Sequence, residues 1–202
     1  MIAIDLYLDP VCPFAWVTSS WLLDSAASTH QVTLRQMSLA VLNEGNDAET
    51  GHRPMIERSR RVGRIFAAAA EKYDEAVFAT LYREFGVQLH LKGRPAEAAS
   101  INALSCAGLD PALTGALDDA AYDPAVARAH RASQDALGGP GGSPIISIAG
   151  RGFAGPVLTA PPHPDQGRAL LDALLTTATV PEFAALQRPY QGSPSFSPAA
   201  DR

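Results

Sequence analysis

Cysteine is scarce in this chain: Cys12 and Cys106 are the only two among 202 residues. Two thiols make no disulfide framework, and no Cys or His spacing spells out a metal site. Basic charge is also short, with Lys+Arg 16 against Asp+Glu 21 and a net charge of −5 at pH 7. Nucleic acid is therefore excluded as the default partner, because phosphate binding needs a basic surface. Long apolar runs are missing as well, and none approaches the about 20 residues of a membrane span. The opening MIAIDLYLD has no basic n-region and carries Asp5, unlike a secretory signal. These absences together give the expectation of a cytoplasmic protein with no membrane partner. No internal repeat is visible.

What is present has an ordinary globular balance, 47% hydrophobic and 18% charged, in a length that supports one good core, or one core plus a small insertion. Ile2 to Leu8 (IAIDLYL) is an apolar run with the length of a buried strand. Asp9 and Pro10 stop it, and Pro13 sits where a first helical turn tolerates proline. From Phe14, the residues Trp16, Val17, Trp21, Leu22 and Leu23 predict an apolar helix face, ending near Ser28 to His30. Gln31 to Leu39 alternates as a half-buried strand does, so the chain opens β–α–β.

From about His52 to Leu137 the pattern is helical. Pro54 opens one helix, Asp74 to Phe85 is a second that Gly86 ends, and Glu97–Ala107 and Pro124–Leu137 follow, with Leu113–Leu117 as a candidate short one. Arg58, Arg60, Arg61 and Arg64 share one side of the first of these, either as a solvated face or as an anion site. Gly138 to Pro144 is a glycine-rich turn feeding a strand at Ile145–Ala149. Gly150–Gly152 then turns the chain, and Phe153 starts a second strand of a hairpin. Gln166–Thr177 reads as a helix and Pro181–Gln187 as a short terminal one, with the tail from Tyr190 poorly ordered.

This order is that of an α/β thioredoxin-like fold with an inserted all-helical subdomain. Residues 1–50 and 138–189 make the discontinuous thioredoxin-like domain, 51–137 the helical insertion, and 190–202 the tail. Cys12 then lies at the first strand-to-helix junction, where helix N–H groups and the helix dipole should favour thiolate and lower the thiol pKa. A cis-proline loop faces the active thiol in such folds, and Ser143–Pro144, between a glycine-rich turn and a buried strand, has that placement. Asp9 is either structural or a proton holder beside the thiol. Pro13, Phe14, Ala15 and Trp16 follow the cysteine as core or pocket wall. His130 is either a surface histidine or an acid/base facing the pocket. His30, His52, His90 and His163 make no metal pattern, and Cys106, in INALSCAGL with Ile101 and Leu104, is expected to pack.

The segments DPVCPFAW, MSLAVLNEG (37–45), RVGRIFAAAAEKYDE, GSPIISIAG and GFAGPVLTAP together resemble the DsbA-family mycothiol-dependent reductases of actinobacteria, from the first strand to about Pro189. The resemblance implies an active Cys12, a pocket open to mycothiol and a cis peptide before Pro144. Related lineages, the kappa-class glutathione transferases and the hydroxychromene carboxylate isomerases, imply that such scaffolds host isomerisation. Relatives in this fold are often homodimers, and no feature of this sequence decides that point.

The sequence departs from the resemblance in two places. Ala15 stands where redox members carry the second cysteine of C-P-x-C, and Gly152-Phe153-Ala154-Gly155 stands where paired phenylalanines are common. Without a resolving thiol, an internal disulfide cycle at this motif is unavailable. Two one-sulfur chemistries remain. Cys12 either adds reversibly to a conjugated electrophilic alkene or polyenoyl thioester and isomerises it, with no cofactor, or forms a mixed disulfide with mycothiol. The expected partner is a small-molecule or carrier-protein-bound substrate. A non-catalytic binding protein is the third reading.

Overall fold

The computed structural model describes residues 1–26, 29–45 and 53–197. Strand β1 (Ala3–Leu8) is followed by α1 (Pro13–Ala26), β2 (Gln31–Gln36) and the short α2 (Leu39–Leu42). Four helices come next: α3 (Arg53–Tyr73), α4 (Val77–Gly86), α5 (Ala96–Cys106) and α6 (Asp123–Leu137). A hairpin of β3 (Ile145–Ile148) and β4 (Arg151–Ala154) returns to the sheet, and α7 (Pro164–Thr177) closes the fold. The sheet order is β2-β1-β3-β4. β1 runs parallel to β2, with Ala3 opposite Gln31 and Leu8 opposite Gln36, and antiparallel to β3, with Ile4 opposite Ile148. α1 is thus the crossover of a βαβ unit, and the hairpin adds to its other edge.

Ile4, Leu6 and Leu8 of β1 are buried with Ile145, Ile146 and Ile148 of β3, and this sheet core is continuous with Val62, Ile65 and Phe66 of α3 and Phe78, Leu81 and Phe85 of α4. The helical insertion therefore shares the core of the sheet. Its basic side is consumed internally: Arg61 pairs with Asp118 at 2.8 Å, Arg64 with Asp123 at 2.7 Å and Arg60 with Glu44 at 3.4 Å. Arg58 donates to the carbonyl of Pro54. Among the described residues no helix is long and apolar enough to cross a membrane.

Several boundaries differ from the sequence expectation, each for a local reason. β2 stops at Gln36, not Leu39, because Ser38 caps α2, its hydroxyl accepting from the Val41 N–H at 3.2 Å. Leu23, placed on the buried face of α1, is 40% exposed. The predicted end of α1 at Ser28 and the predicted start of the helical block at His52 fall outside the described residues. α4 begins at Val77 rather than Asp74, whose φ of 106° lies outside helical space.

Gly86 is the last residue of α4, as expected, but the helical path does not stop there. The chain runs through it into a π turn, Val87–Leu91. A Cβ on Gly86 would sit 2.1 Å from the Trp16 ring, so this glycine serves a close approach and not a stop. Leu113–Leu117 lies within a 3-10 helix, Pro111–Asp118. The hairpin turn falls at Ala149 and Gly150, both with positive φ, one residue earlier than expected. The terminal helix expected at Pro181–Gln187 is absent, and those residues follow an irregular path.

Candidate active site

β1 delivers the chain to Asp9, whose carbonyl accepts the Cys12 N–H at 3.0 Å in a tight turn. The Trp16 N–H donates to the Cys12 carbonyl at 3.1 Å, so the first turn of α1 starts at the cysteine. Leading into the neighbouring strand β3, the Ser143–Pro144 peptide, which is cis, comes against the same turn. The Cys12 thiol donates to the Ser143 carbonyl at 3.4 Å, and the Asp9 N–H donates to the Ser143 hydroxyl at 2.9 Å. The sequence-predicted group of Asp9, Cys12, Ser143 and Pro144 is therefore brought together. The GFAGPV segment braces it: the Gly155 N–H bonds the Pro144 carbonyl at 2.8 Å, and the carbonyl of Pro156 accepts from Thr18 at 2.9 Å.

The electrostatics correct the sequence expectation. Burial pushes the Cys12 thiol up, not down, and this outweighs the lowering by the helix N–H groups of Ala15 and Phe14 and by Ser143; the charge of Asp9 adds to the rise. The positive helix end is in place, but Cys12 is only 5% exposed.

Asp9 is fully enclosed, and burial raises its pKa against the opposing hydrogen bonds. Its carboxylate accepts from the Val11 N–H at 2.9 Å, the Leu39 N–H at 2.7 Å and the Ser59 hydroxyl at 2.5 Å. Ser59 in turn accepts the Ala40 N–H at 2.9 Å, while Ser38 takes that of Val41. Asp9, Ser59 and Ser38 thus satisfy the exposed N–H groups of α2 in sequence. This favours the structural alternative for Asp9.

Ala15 is completely buried, so the place of a second cysteine is a methyl group packed in the core. Pro13 and Phe14 are half-buried, and the Phe14 ring meets Tyr190 edge-on at 5.1 Å. Trp16 lies against Tyr82 and stacks on His90, both at 5.8 Å. Cys106 is exposed on α5, which corrects its expected packing role.

His130 is not brought to the sulfur. It is buried on α6, where it lines an open trough of about 640 Å³ with Val41, Leu42, Gln134, Asp135 and the Gly138–Pro140 turn. Its Nδ1 has no partner, and burial lowers its pKa.

His90 is the residue that sequence reasoning missed. It sits in the π turn, stacked on Trp16, and burial drives its pKa down to about 4 against an opposing rise from the Pro10 backbone. Its Nε2 is buried without a partner. The spacing of histidines gave no clue, because His90 matters through a ring stack and not through ligation.

These features define a class: a thioredoxin-fold protein with a helical insertion and a single cysteine opposed by a cis-proline loop. The chain belongs to the Rv2466c-like family, whose model, described as mycothiol-dependent nitroreductase Rv2466c, matches residues 11–188. A Mycobacterium tuberculosis protein, the uncharacterized Rv2286c, is 30% identical over 198 residues, covering 94% of this chain and 83% of its own length.

Solved structures share the fold at low identity. A probable DsbA oxidoreductase of Streptomyces coelicolor, SCO1869, has a TM-score of 0.59 at 15% identity, with 94% of each chain covered. The cytosolic disulfide reductase DsbM of Pseudomonas aeruginosa, solved with GSH, has a TM-score of 0.54 at 18% identity over 86% of this chain and 99% of its own. A 2-hydroxychromene-2-carboxylate isomerase has a TM-score of 0.55 at 14% identity over 85% of this chain and 94% of its own.

Proposed function

We propose that the chain is a one-thiol enzyme in which Cys12 isomerises a conjugated, electrophilic alkene, such as a polyenoyl thioester, without net redox change. The observation that carries this reading is the fully buried Ala15 methyl beside the cysteine, with Cys106 exposed on another helix. An internal disulfide cycle has no second sulfur to use. Addition–elimination needs only one.

In this mechanism the Cys12 S–C bond forms as the alkene π bond breaks, and the electron pair moves to the thioester carbonyl oxygen. The thiol proton follows to that oxygen, which suits a cysteine that burial keeps protonated. The former double bond rotates, the carbonyl re-forms, the S–C bond breaks and the proton returns to sulfur. Before addition the Ser143 carbonyl orients the sulfur by accepting the Cys12 S–H at 3.4 Å, and that bond re-forms when the proton returns.

A second reading is favoured by the family match: a mycothiol-dependent monothiol oxidoreductase or transferase. Mycothiol would supply the missing second sulfur.

Purified protein mixed with a conjugated polyenoyl thioester, without thiol or electron donor, is expected to change the alkene geometry, read by NMR. Cys12→Ser is expected to abolish the change. Formation and turnover of a Cys12–mycothiol mixed disulfide, seen by intact mass, with no change in any alkene, would instead establish the second reading.

A further inference from the structure

Of the residues after the family match, the described ones, 189–197, form no helix or strand, yet they return to the cysteine's surroundings. Tyr190 sets its ring edge against Phe14, two residues beyond Cys12. Pro194 is buried. Phe196 packs at 5.5 Å on His90, the ring that stacks on Trp16 of the same helix. Among the described residues, one backbone hydrogen bond ties residues 189–197 to the body, from the Ser195 N–H to the Thr159 carbonyl at 2.8 Å. The other bonds of Ser195 are to Ser197, within the segment. A segment held by ring contacts and one backbone bond opens far more readily than the sheet beneath it.

We propose that residues 189–197 are a strap that closes the Cys12 site, and that Tyr190 and Phe196 decide which molecules reach the sulfur. Cys12 and Trp16 are 5% and 8% exposed with the strap in place. A thiol so enclosed reacts only when something lifts, and the strap is the weakly held piece that touches both the start of α1 and the π turn. Its inner side presents aromatic rings, so the ligand it closes over is planar and apolar along one edge. The strap does not depend on which reaction Cys12 carries out, since access precedes either chemistry.

The test measures alkylation of Cys12 in a Cys106→Ser background, with iodoacetamide as the small reagent and an aryl maleimide as the bulky planar one. Phe196→Ala and Tyr190→Ala are expected to raise the aryl maleimide rate severalfold to about tenfold, as the loss of one ring contact predicts, with a smaller rise for iodoacetamide. A chain ending at Pro189 is expected to show the largest rise at an unchanged circular dichroism spectrum. Leu186→Ala, at a position 90% exposed, serves as the control and is expected to match the parent. Parent-like rates in all strap variants, equal rises for both reagents, or loss of folding in Phe196→Ala would each overturn the strap. The last outcome would make the segment part of the core.

Discussion

At Cys12 two opposed effects meet, and their balance is measurable. The helix N–H groups of Ala15 and Phe14 stabilise the thiolate, while burial and the charge of Asp9 oppose it and prevail. With the thiol pKa raised, the thiolate fraction grows about tenfold per pH unit across neutral pH, so the alkylation rate of the Cys106→Ser protein should climb without a plateau up to a pH of about 8.5. A plateau below that pH would mean that the helix end wins. Asp9 contributes in a second way, as the acceptor that organises α2. In Asp9→Asn one carboxylate oxygen becomes an amide facing donors, at the position that now accepts from Leu39 and Ser59. The variant should lose about 1–3 kcal/mol of stability, read as a lower denaturant midpoint, because a buried donor is left unpaired. Sequence reasoning could find Asp9 by its neighbour in the chain. It could not find Ser59, whose partner lies across the fold and which sits inside an arginine-rich stretch.

At the scale of elements, the β–α–β opening, the helical block and the terminal hairpin were legible because each carries its own period or its own glycine and proline punctuation. Cys12 facing Ser143–Pro144 was legible through the thioredoxin-like fold, in which a cis-proline loop faces the active thiol, and the glycine-rich turn before Pro144 matched that placement. The π turn and the strap were not, since neither has a repeating pattern and both are set by what packs against them. Gly86 shows the difference. Its position after DEAVFATLYREF reads as a helix stop, but its φ of −61° is helical, and what it provides is room for the Trp16 ring. Gly-to-Ala in a helix interior ordinarily stabilises by about 0.5–1 kcal/mol. Here the new methyl would overlap the indole at 2.1 Å. Gly86→Ala should therefore destabilise, by about 1–3 kcal/mol as overpacking does, with a shift in tryptophan fluorescence. A stabilised variant with an unmoved emission maximum would show that the π turn is not built around Trp16.

Across the whole molecule one ring joins three parts that the chain keeps far apart. His90 belongs to the helical insertion, stacks on Trp16 of α1 and carries Phe196 of the tail. Such a ring must stay neutral to stay buried, and burial lowers its pKa from 6.5 to about 4, against a rise from the Pro10 backbone and with a smaller lowering by Arg58. The sign follows from proton counting. Above pH 6.5 neither the folded nor the unfolded chain protonates this residue, and its contribution to stability is fully present. As pH falls below 6.5 the unfolded chain takes up a proton that the folded chain refuses, down to about pH 4. Stability is then lost at up to about 1.4 kcal/mol per pH unit. His90→Phe keeps an aromatic ring at the junction and removes the titration. Urea midpoints of the parent should therefore fall between pH 7 and pH 5 by more than those of His90→Phe, the remainder coming from other groups such as His130, whose pKa burial also lowers. If both proteins lose the same stability over that interval, His90 titrates freely, and the insertion, the active-site helix and the tail are not held together through a neutral imidazole.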